Sequence, residues 1–208
     1  MPSAVGRSSS AVCRLPFAVC RLPFVVCRCL SLPALWESQM KKTVTYLGIG
    51  GNLGVRELFL AKTREWIELK VGEITAESKI YETAAWGMEN APDFLNQVVE
   101  VETDLSAEEV LEVIRRVEKL LGRIRKEGEG FQSRTADIDI LIFGDEVIDT
   151  ADLKVPHPGI PKRRFVLTPL CDIAPDRIHP TKNTTLQSLL DTTTDDEEVR
   201  EWISPIAT

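Results

Sequence analysis

The chain has 208 residues, of which 43% are hydrophobic and 27% charged, and it carries a formal net charge of −7. This composition is typical of a globular protein with one sizeable core. No apolar run reaches the roughly 18 residues that predict a membrane span. The acidic balance argues against a general nucleic-acid binder, because such proteins usually present a basic face.

The first forty residues differ from the rest of the chain. They repeat a heptad, "AVCRLPFAVCRLPFVVCRC", but Pro16 and Pro23 recur inside it and exclude a coiled coil. Most of the cysteines lie here, at spacings that fit structural zinc sites poorly: Cys13, Cys20, Cys27 and Cys29. We expect residues 1–40 to form no part of the fold, either as an upstream extension with a misplaced start or as a targeting segment. Residues 41–208 then form one domain.

Hydrophobic periodicity predicts alternating strands and helices in that domain. Strands are expected at 43–50, 72–86, 93–105 and 133–143, and helices at 55–70 and 106–121. Ser106 and Glu109 have the spacing of a capping box, and Gly122 suits the end of the second helix. Short helical patterns follow near "KRRFVLTPL" and at 186–190. The order β-α-β-β-α-β predicts an α+β, ferredoxin-like fold, an antiparallel sheet with helices packed on one face.

The stretch "SRTADIDILIF" (133–143) poses the chemical question. In an extended chain, residues two apart share a face, so Asp137 and Asp139 point the same way, while the isoleucines 138, 140 and 142 face the helices. A solvated strand face is the ordinary explanation of such a pair. Two carboxylates on one face also form a ready site for Mg²⁺, which binds one or two carboxylates together with substrate phosphates.

Arginines accompany these carboxylates on both sides along the chain. Guanidinium forks match phosphate oxygens, although each arginine could also serve solubility. Carboxylates for a metal and arginines for phosphate together indicate phosphoryl transfer more specifically than either alone. The arginines concerned are Arg123, Arg125, Arg134, Arg163 and Arg164.

Three further features are weaker signals. "GIGGNLG" (48–54) could be a turn whose N–H groups approach a phosphate, or only a tight turn that needs positive φ. Trp86 and Phe94 could enclose a flat heterocycle whose edge Asn96 reads, or they could be core aromatics. His157 could contact a nucleotide phosphate or be structural.

Together these motifs resemble the 6-hydroxymethyl-7,8-dihydropterin pyrophosphokinases of folate biosynthesis. The resemblance covers about residues 43–180 and rests on "YLGIGGNLG", "YETAAWG", "DFLNQVVEVET", "EKLLGRIR", "RTADIDILIFG", "VPHPGIPKRRFVLTPL" and "IAPDRIHP". It implies an enzyme that transfers the ATP diphosphate to the pterin hydroxymethyl group and releases AMP. Because only Cys171 lies outside the first forty residues, we expect a reduced, cytoplasmic protein. We also expect a monomer with no nucleic-acid or membrane partner.

The resemblance also implies residue roles. Asp137 and Asp139 would hold two Mg²⁺ ions, and Arg123 and Arg134 would act on the phosphates as catalytic residues. The ATP contacts would be Glu118, Arg125, Ile140, His157 and Arg163. The pterin pocket would be lined by Thr83, Ala84, Ala85, Phe94, Asn96, Phe131 and Phe165.

The chain departs from the family pattern in places. Phe94 stands where many relatives have Tyr, and Ala84 and Ala85 stand where many bacterial relatives have a Pro-Pro pair. In "KEGEGFQSR" (126–134) Phe131 replaces a common Trp as a lid, and an arginine is missing. The alternatives are another Mg²⁺-dependent ATP transferase with a different acceptor, and a non-enzymatic ferredoxin-like nucleotide-binding module.

Overall fold

The computed structural model describes residues 42–85, 91–123 and 133–204. Among the sequence predictions, the N-terminal extension (1–40), Trp86, Arg125 and Phe131 lie outside the described residues. The domain boundary at residue 40 therefore stays a prediction. No helix of the described part is long and apolar enough to cross a membrane.

The predicted elements are present, with additions after the fifth strand. The first part of the fold contains β1 (Thr43–Gly51), α1 (Arg56–Lys70), β2 (Glu73–Glu77), β3 (Tyr81–Thr83), β4 (Phe94–Thr103), α2 (Ala107–Leu120) and β5 (Asp137–Phe143). The second part contains β6 (Ile148–Asp149), β7 (Lys154–Val155), a 3₁₀ turn (Ile160–Lys162), α3 (Arg164–Ile173), α4 (Leu186–Thr192) and β8 (Val199–Glu201).

The main sheet is antiparallel throughout and confirms the α+β prediction. Its strand order is β5-β1-β4-β3-β8, and β2 also pairs with β4. The single strand predicted for 72–86 is in fact two strands. Ser78 causes the break, because its hydroxyl accepts the Val98 N–H (2.9 Å) in place of a backbone carbonyl.

Helix α2 begins and ends as its sequence predicts. The Ser106 hydroxyl accepts the Glu109 N–H, and the Glu109 carboxylate accepts the Ser106 N–H (2.8 Å), which completes the capping box. Gly122, just beyond the helix, has φ +88°, a conformation that glycine adopts without steric cost. The helix places Val110, Ile114 and Val117 in the core.

Helices cover both faces of the sheet, so the prediction of helices on one face is wrong. α1 and α2 pack with residues such as Leu47 and Val99 in one apolar cluster. α3 and α4 pack with Tyr46 and Val98 in a second cluster on the opposite face. Val98 and Val99 are neighbours in β4, and both are buried because each faces a different helical layer.

A bulge in β5 changes which isoleucines share a face. Leu47 pairs with Ile140 and Tyr46 with Ile142, so Leu141 is the extra residue. Ile138 and Ile140 join the cluster beneath α1 and α2, as expected. Ile142 instead joins the α3 and α4 cluster, which corrects its predicted orientation. Asp137 and Asp139 precede the bulge and point toward the α3 side of the sheet.

Candidate active site

A cleft of roughly 600 Å³ lies between the sheet and the start of α3. Its floor is a row across three strands, in which Gly50 of β1 pairs with Asn96 of β4 on one side and with Asp137 of β5 on the other. A Cβ on Gly50 would stand 2.7 Å from Asn96 Oδ1. Glycine is therefore needed here so that the Asn96 amide can lie over the central strand.

This geometry decides the meaning of "GIGGNLG". Gly48, Gly50 and Gly51 lie within β1 and not in a turn, so the phosphate-turn hypothesis is wrong for them. A Cβ on Gly51 would stand 2.5 Å from the Thr135 carbonyl oxygen. Of the glycines in this motif, Gly54 has positive φ (+70°). Gly50 and Gly51 instead allow the close approach of neighbouring strands and the segment before β5, and an added Cβ on Gly48 would only contact the Leu141 side chain at 3.4 Å.

Most of the predicted site residues line this one cleft. They are Thr83, Ala84, Phe94, Asn96, Arg134, Asp137, Asp139, His157, Arg163 and Phe165. An adjoining recess of roughly 420 Å³ runs on along β1 toward Pro169 and shares the two aspartates and both phenylalanines. Ala85 is described but does not line either space. The Ile140 side chain lies in the core on the other face of the sheet.

Asp137 is held by two arginines. Arg123 Nη1 donates to Asp137 Oδ1 (2.5 Å), and Arg134 Nη1 forms an ion pair with Asp137 Oδ2 (2.9 Å). These three side chains are largely buried, with 16–22% of their surface exposed. Arg134 Nε is buried and has no hydrogen-bond partner among the described residues. Of the two arginines, Arg134 lines the cleft, and together they fix the position of the Asp137 carboxylate.

Glu118 lies behind this edge rather than in the cleft. It is 2% exposed, forms an ion pair with Arg123, and accepts the Ile138 N–H (3.1 Å). A buried carboxylate needs such partners, because an isolated charge in the interior is strongly unfavourable. The structure therefore places Glu118, predicted as an ATP contact, where it fixes the position of Arg123.

Asp139 is less constrained than Asp137. Its side chain is exposed at the cleft, although protein atoms crowd the carboxylate on its other sides. This desolvation raises the pKa of the Asp139 carboxyl, and the negative charge of Asp137 raises it further. Nearby positive charge lowers the pKa in part, with Arg134 the larger contribution. A cation at the two carboxylates would relieve this repulsion.

The opposite end of the cleft is aromatic. Phe94 projects from β4 and Phe165 from α3, and an arginine guanidinium lies 5.7 Å from each ring centre, Arg134 over Phe94 and Arg163 over Phe165. Between them, Asn96 Nδ2 donates to Thr83 Oγ1 (2.9 Å), which leaves the Asn96 carbonyl oxygen to accept a further hydrogen bond. Such a space suits a flat ring with polar edges.

Sequence reasoning missed Asn52, which ties the two ends of the site together. Its side chain is buried, and Nδ2 donates to the Pro92 carbonyl (3.0 Å) and to Ser133 Oγ (3.0 Å). Oδ1 accepts the Arg134 N–H (2.8 Å). The sequence shows only an asparagine directly after a predicted strand. Its side chain can both donate and accept hydrogen bonds, but such residues are too common after strands to be singled out.

His157 has a defined tautomer. Its Nδ1 accepts the Gly159 N–H (3.1 Å), so the neutral ring carries its proton on Nε2. Burial lowers the pKa of His157, and the positive charge of Arg163 lowers it further, while Asp137 opposes the shift. The ring is therefore neutral near pH 7 and can donate one hydrogen bond from Nε2.

Because the pKa of His157 is lowered on folding, protonation favours the unfolded chain. Stability from this residue is present above the unfolded pKa, about 6.5, and is lost as pH falls toward the lower folded pKa. We expect the unfolding temperature of the wild type to fall more between pH 7 and pH 5 than that of His157→Gln. Parallel curves for the two proteins would contradict the lowered pKa; His179 contributes equally to both.

Comparison with known proteins places the chain in a family. A family model described as 7,8-dihydro-6-hydroxymethylpterin-pyrophosphokinase (HPPK) matches residues 46–175. The chain belongs to the HPPK family. A protein of Aquifex aeolicus named 2-amino-4-hydroxy-6-hydroxymethyldihydropteridine pyrophosphokinase is 47% identical over 135 residues, 65% of this chain and 82% of that protein. A Bacillus subtilis protein of the same name is 41% identical over 131 residues, 62% and 77% of the two chains.

Solved structures agree on the fold of the HPPK family. The crystal structure of wild-type Plasmodium falciparum HPPK-DHPS has a TM-score of 0.60 to this chain at 19% sequence identity. The similarity covers 73% of this chain and 44% of that longer chain. The HPPK family match contains the whole cleft described above, from β1 to α3, and ends before α4 and β8.

Proposed function

We propose that this chain transfers the diphosphate of ATP to the hydroxymethyl group of 6-hydroxymethyl-7,8-dihydropterin and releases AMP. The family supports this activity, as do the names of the two bacterial relatives. One observation carries the proposal: a single cleft contains both Arg134 with the two aspartates and the aromatic pair with Asn96, whose carbonyl oxygen can accept a hydrogen bond. An enzyme of this kind needs both halves together, because it must align a triphosphate with a flat acceptor.

The phosphate half is the edge formed by β5. Arg134 lines the cleft and its guanidinium would contact the ATP phosphates, while Arg123 holds Asp137 beside it. Fixed positive groups stabilise the charge that develops on the transferred group without having to reorganise during the reaction. Arg163 and the Nε2–H of His157 extend this edge toward the remaining phosphates. Arg125 would complete it.

The donor set of Asp137 and Asp139 fits Mg²⁺. Both are hard oxygen donors on one face of a strand, and Mg²⁺ takes one or two carboxylates, its other ligands being water and substrate oxygens. No cluster of three or more possible ligands occurs in residues 42–85, 91–123 and 133–204, which agrees with a site that relies on ATP for further ligands. We propose that two Mg²⁺ ions, when bound, neutralise the triphosphate there.

The acceptor half is the aromatic end. Phe94 and Phe165 would enclose the pterin ring, and the Asn96 carbonyl oxygen would accept a hydrogen bond from its edge. Thr83 fixes the amide orientation from below. Phe131 would cover the ring from the 124–132 segment, and Ala84 and Ala85 would border it.

Other parts of the proposal concern the whole chain. We propose that residues 1–40 take no part in catalysis, and that the enzyme is a monomer acting in the cytoplasm. We also propose that its sheet is an elaborated ferredoxin-like β-α-β-β-α-β arrangement in which β2 and β3 share one strand position.

The product of ATP distinguishes the candidate functions. The full chain is incubated with ATP, Mg²⁺ and hydroxymethyl-dihydropterin, and the nucleotides are separated. AMP formed in step with pterin diphosphate is the expected result. ADP would instead indicate simple phosphorylation, and no pterin-dependent turnover would favour the non-enzymatic binding module. Omission of Mg²⁺ should stop the reaction.

Arg134→Ala tests the phosphate edge. We expect kcat to fall about 10²-fold, the loss typical when one preorganised donor to a developing charge is removed. The KM for the pterin should change less, although Arg134 also lies over Phe94. Arg115→Ala, which removes an exposed arginine paired with Asp152, is the control and should leave kcat unchanged. Unchanged kinetics in Arg134→Ala would remove this residue from the site.

A further inference from the structure

Arg56, at the start of α1, makes three contacts behind the aromatic end of the cleft. Its Nη1 donates to the Asp93 carbonyl oxygen (2.7 Å), and its Nη2 forms an ion pair with Glu82 Oε1 (2.9 Å). The guanidinium carbon Cζ lies 4.9 Å from the centre of the Trp202 ring. Arg56 and Glu82 are 21% and 17% exposed, so these contacts are well shielded from water.

The partners of Arg56 are the chain neighbours of two residues that line the cleft. Glu82 precedes Thr83, and Asp93 precedes Phe94; Thr83 and Phe94 are paired across β3 and β4, and both line the cleft. Arg56 therefore binds beside both members of this pair. Arg56 itself does not line the cleft or the adjoining recess, as far as the described residues define them. Its influence on a ligand must act through its partners.

The C-terminal strand supports this contact from the outside. β8 pairs with β3, and Trp202, the residue after it, donates from Nε1 to Glu57 (2.6 Å) and from its backbone N–H to the Ile80 carbonyl (2.8 Å). Arg200 lies near both Glu82 (3.5 Å) and Asp93 (3.4 Å). β8 lies beyond the part of the chain that matches the HPPK family. The end of the chain thus braces one wall of the cleft.

We propose that Arg56 is a positioning residue for the pterin half of the site, braced by Trp202; this rests on the function proposed above. A guanidinium fork can bind a carbonyl and a carboxylate at once while it stacks on a ring, and lysine cannot do all three. By holding Glu82 and Asp93, Arg56 fixes the neighbouring Thr83 and Phe94 before the pterin binds. Preorganisation of this kind strengthens binding without adding a contact to the ligand.

The test is a comparison of two KM values in the full chain. Arg56→Ala should raise the KM for hydroxymethyl-dihydropterin about tenfold, a cost of about 1.4 kcal/mol in binding. The KM for ATP should stay within about twofold, since Arg123, Arg134 and Asp137 lie on β5 and in the loops beside it. Arg56→Lys should recover only part of the loss. Arg116→Ala, an exposed arginine paired along α2, is the matched control.

Each outcome decides the proposal. A merely structural role would lower the unfolding temperature and the active fraction, and hence apparent kcat, but would leave both KM values unchanged. That result, or an equal rise in both KM values, would overturn the positioning role. If Arg56→Ala is too unstable to assay, the same comparison is made with Arg56→Lys. Failure of the proposed function is distinct, because the wild type would then form no AMP.

Discussion

Replacing Asp139 with asparagine is expected to lower kcat at least about 10³-fold while leaving the folded protein as stable as the wild type or more so. The activity loss corresponds to about 4 kcal/mol of transition-state stabilisation, within the range that a metal-binding carboxylate supplies. Stability should not fall, because burial and Asp137 both disfavour the charge of Asp139. Asparagine keeps the shape of the side chain and removes that charge.

The measurement pairs kcat at saturating Mg²⁺ with a thermal unfolding curve. Asp149→Asn is the control: it also removes a strand carboxylate, but one that is exposed and pairs with Lys154 away from the cleft. The control should keep both values near those of the wild type. Near-native turnover in Asp139→Asn would reject the metal role of this residue. A large drop in the unfolding temperature of this variant would show that the charge of Asp139 is not repelled by Asp137 in the folded protein.

The second large effect is expected from Arg123→Met. This change removes one half of the buried Arg123–Glu118 ion pair, and breaking a buried pair in this way costs about 3 kcal/mol or more. For a domain of this size the unfolding temperature should fall by about 10 °C. Activity should also fall, because Asp137 loses one of the two arginines that hold it. Thermal unfolding and AMP formation measure the two effects.

A double variant separates stability from catalysis in this cluster. In Arg123→Met/Glu118→Gln the buried charge is gone, yet the glutamine carbonyl can still accept the Ile138 N–H. We expect more than half of the lost stability to return while activity stays low. Equal destabilisation of the single and double variants would show that the buried charge of Glu118 is not the cause.

Alternation along β5 was enough to predict a strand with two carboxylates on one face, and the cleft contains both. It was not enough to place Ile142. Leu141 and Ile142 are both apolar, so either could face either helical layer, and the bulge is fixed only by pairing with Tyr46 and Leu47. The sequence also did not show that α3 and α4 cover the second face of the sheet. Their helical patterns can be recognised, but the pattern of a helix does not indicate which face of the sheet it packs against.

Residues that act through distant partners were the hardest to predict. Asn52 forms hydrogen bonds with Pro92, which is 40 positions away, and with Ser133, which is 81 positions away. No pattern in the sequence around Asn52 indicates these contacts. Glu118 was expected in contact with ATP, and only the packed structure shows it beneath Arg123. By contrast, residues that face the cleft, such as Phe94, His157 and Phe165, were found because the family resemblance assigns positions one by one.

The row of Asp137, Gly50 and Asn96 has a consequence for how the chain acquires activity. The three residues belong to three strands that pair across long stretches of sequence, so no local segment contains this row. Pairings of high sequence separation form late and slowly in folding, because a large loop must close before they contribute. Recovered turnover after dilution from denaturant would therefore report the completed central sheet, whereas helical signal from α2 could return much earlier.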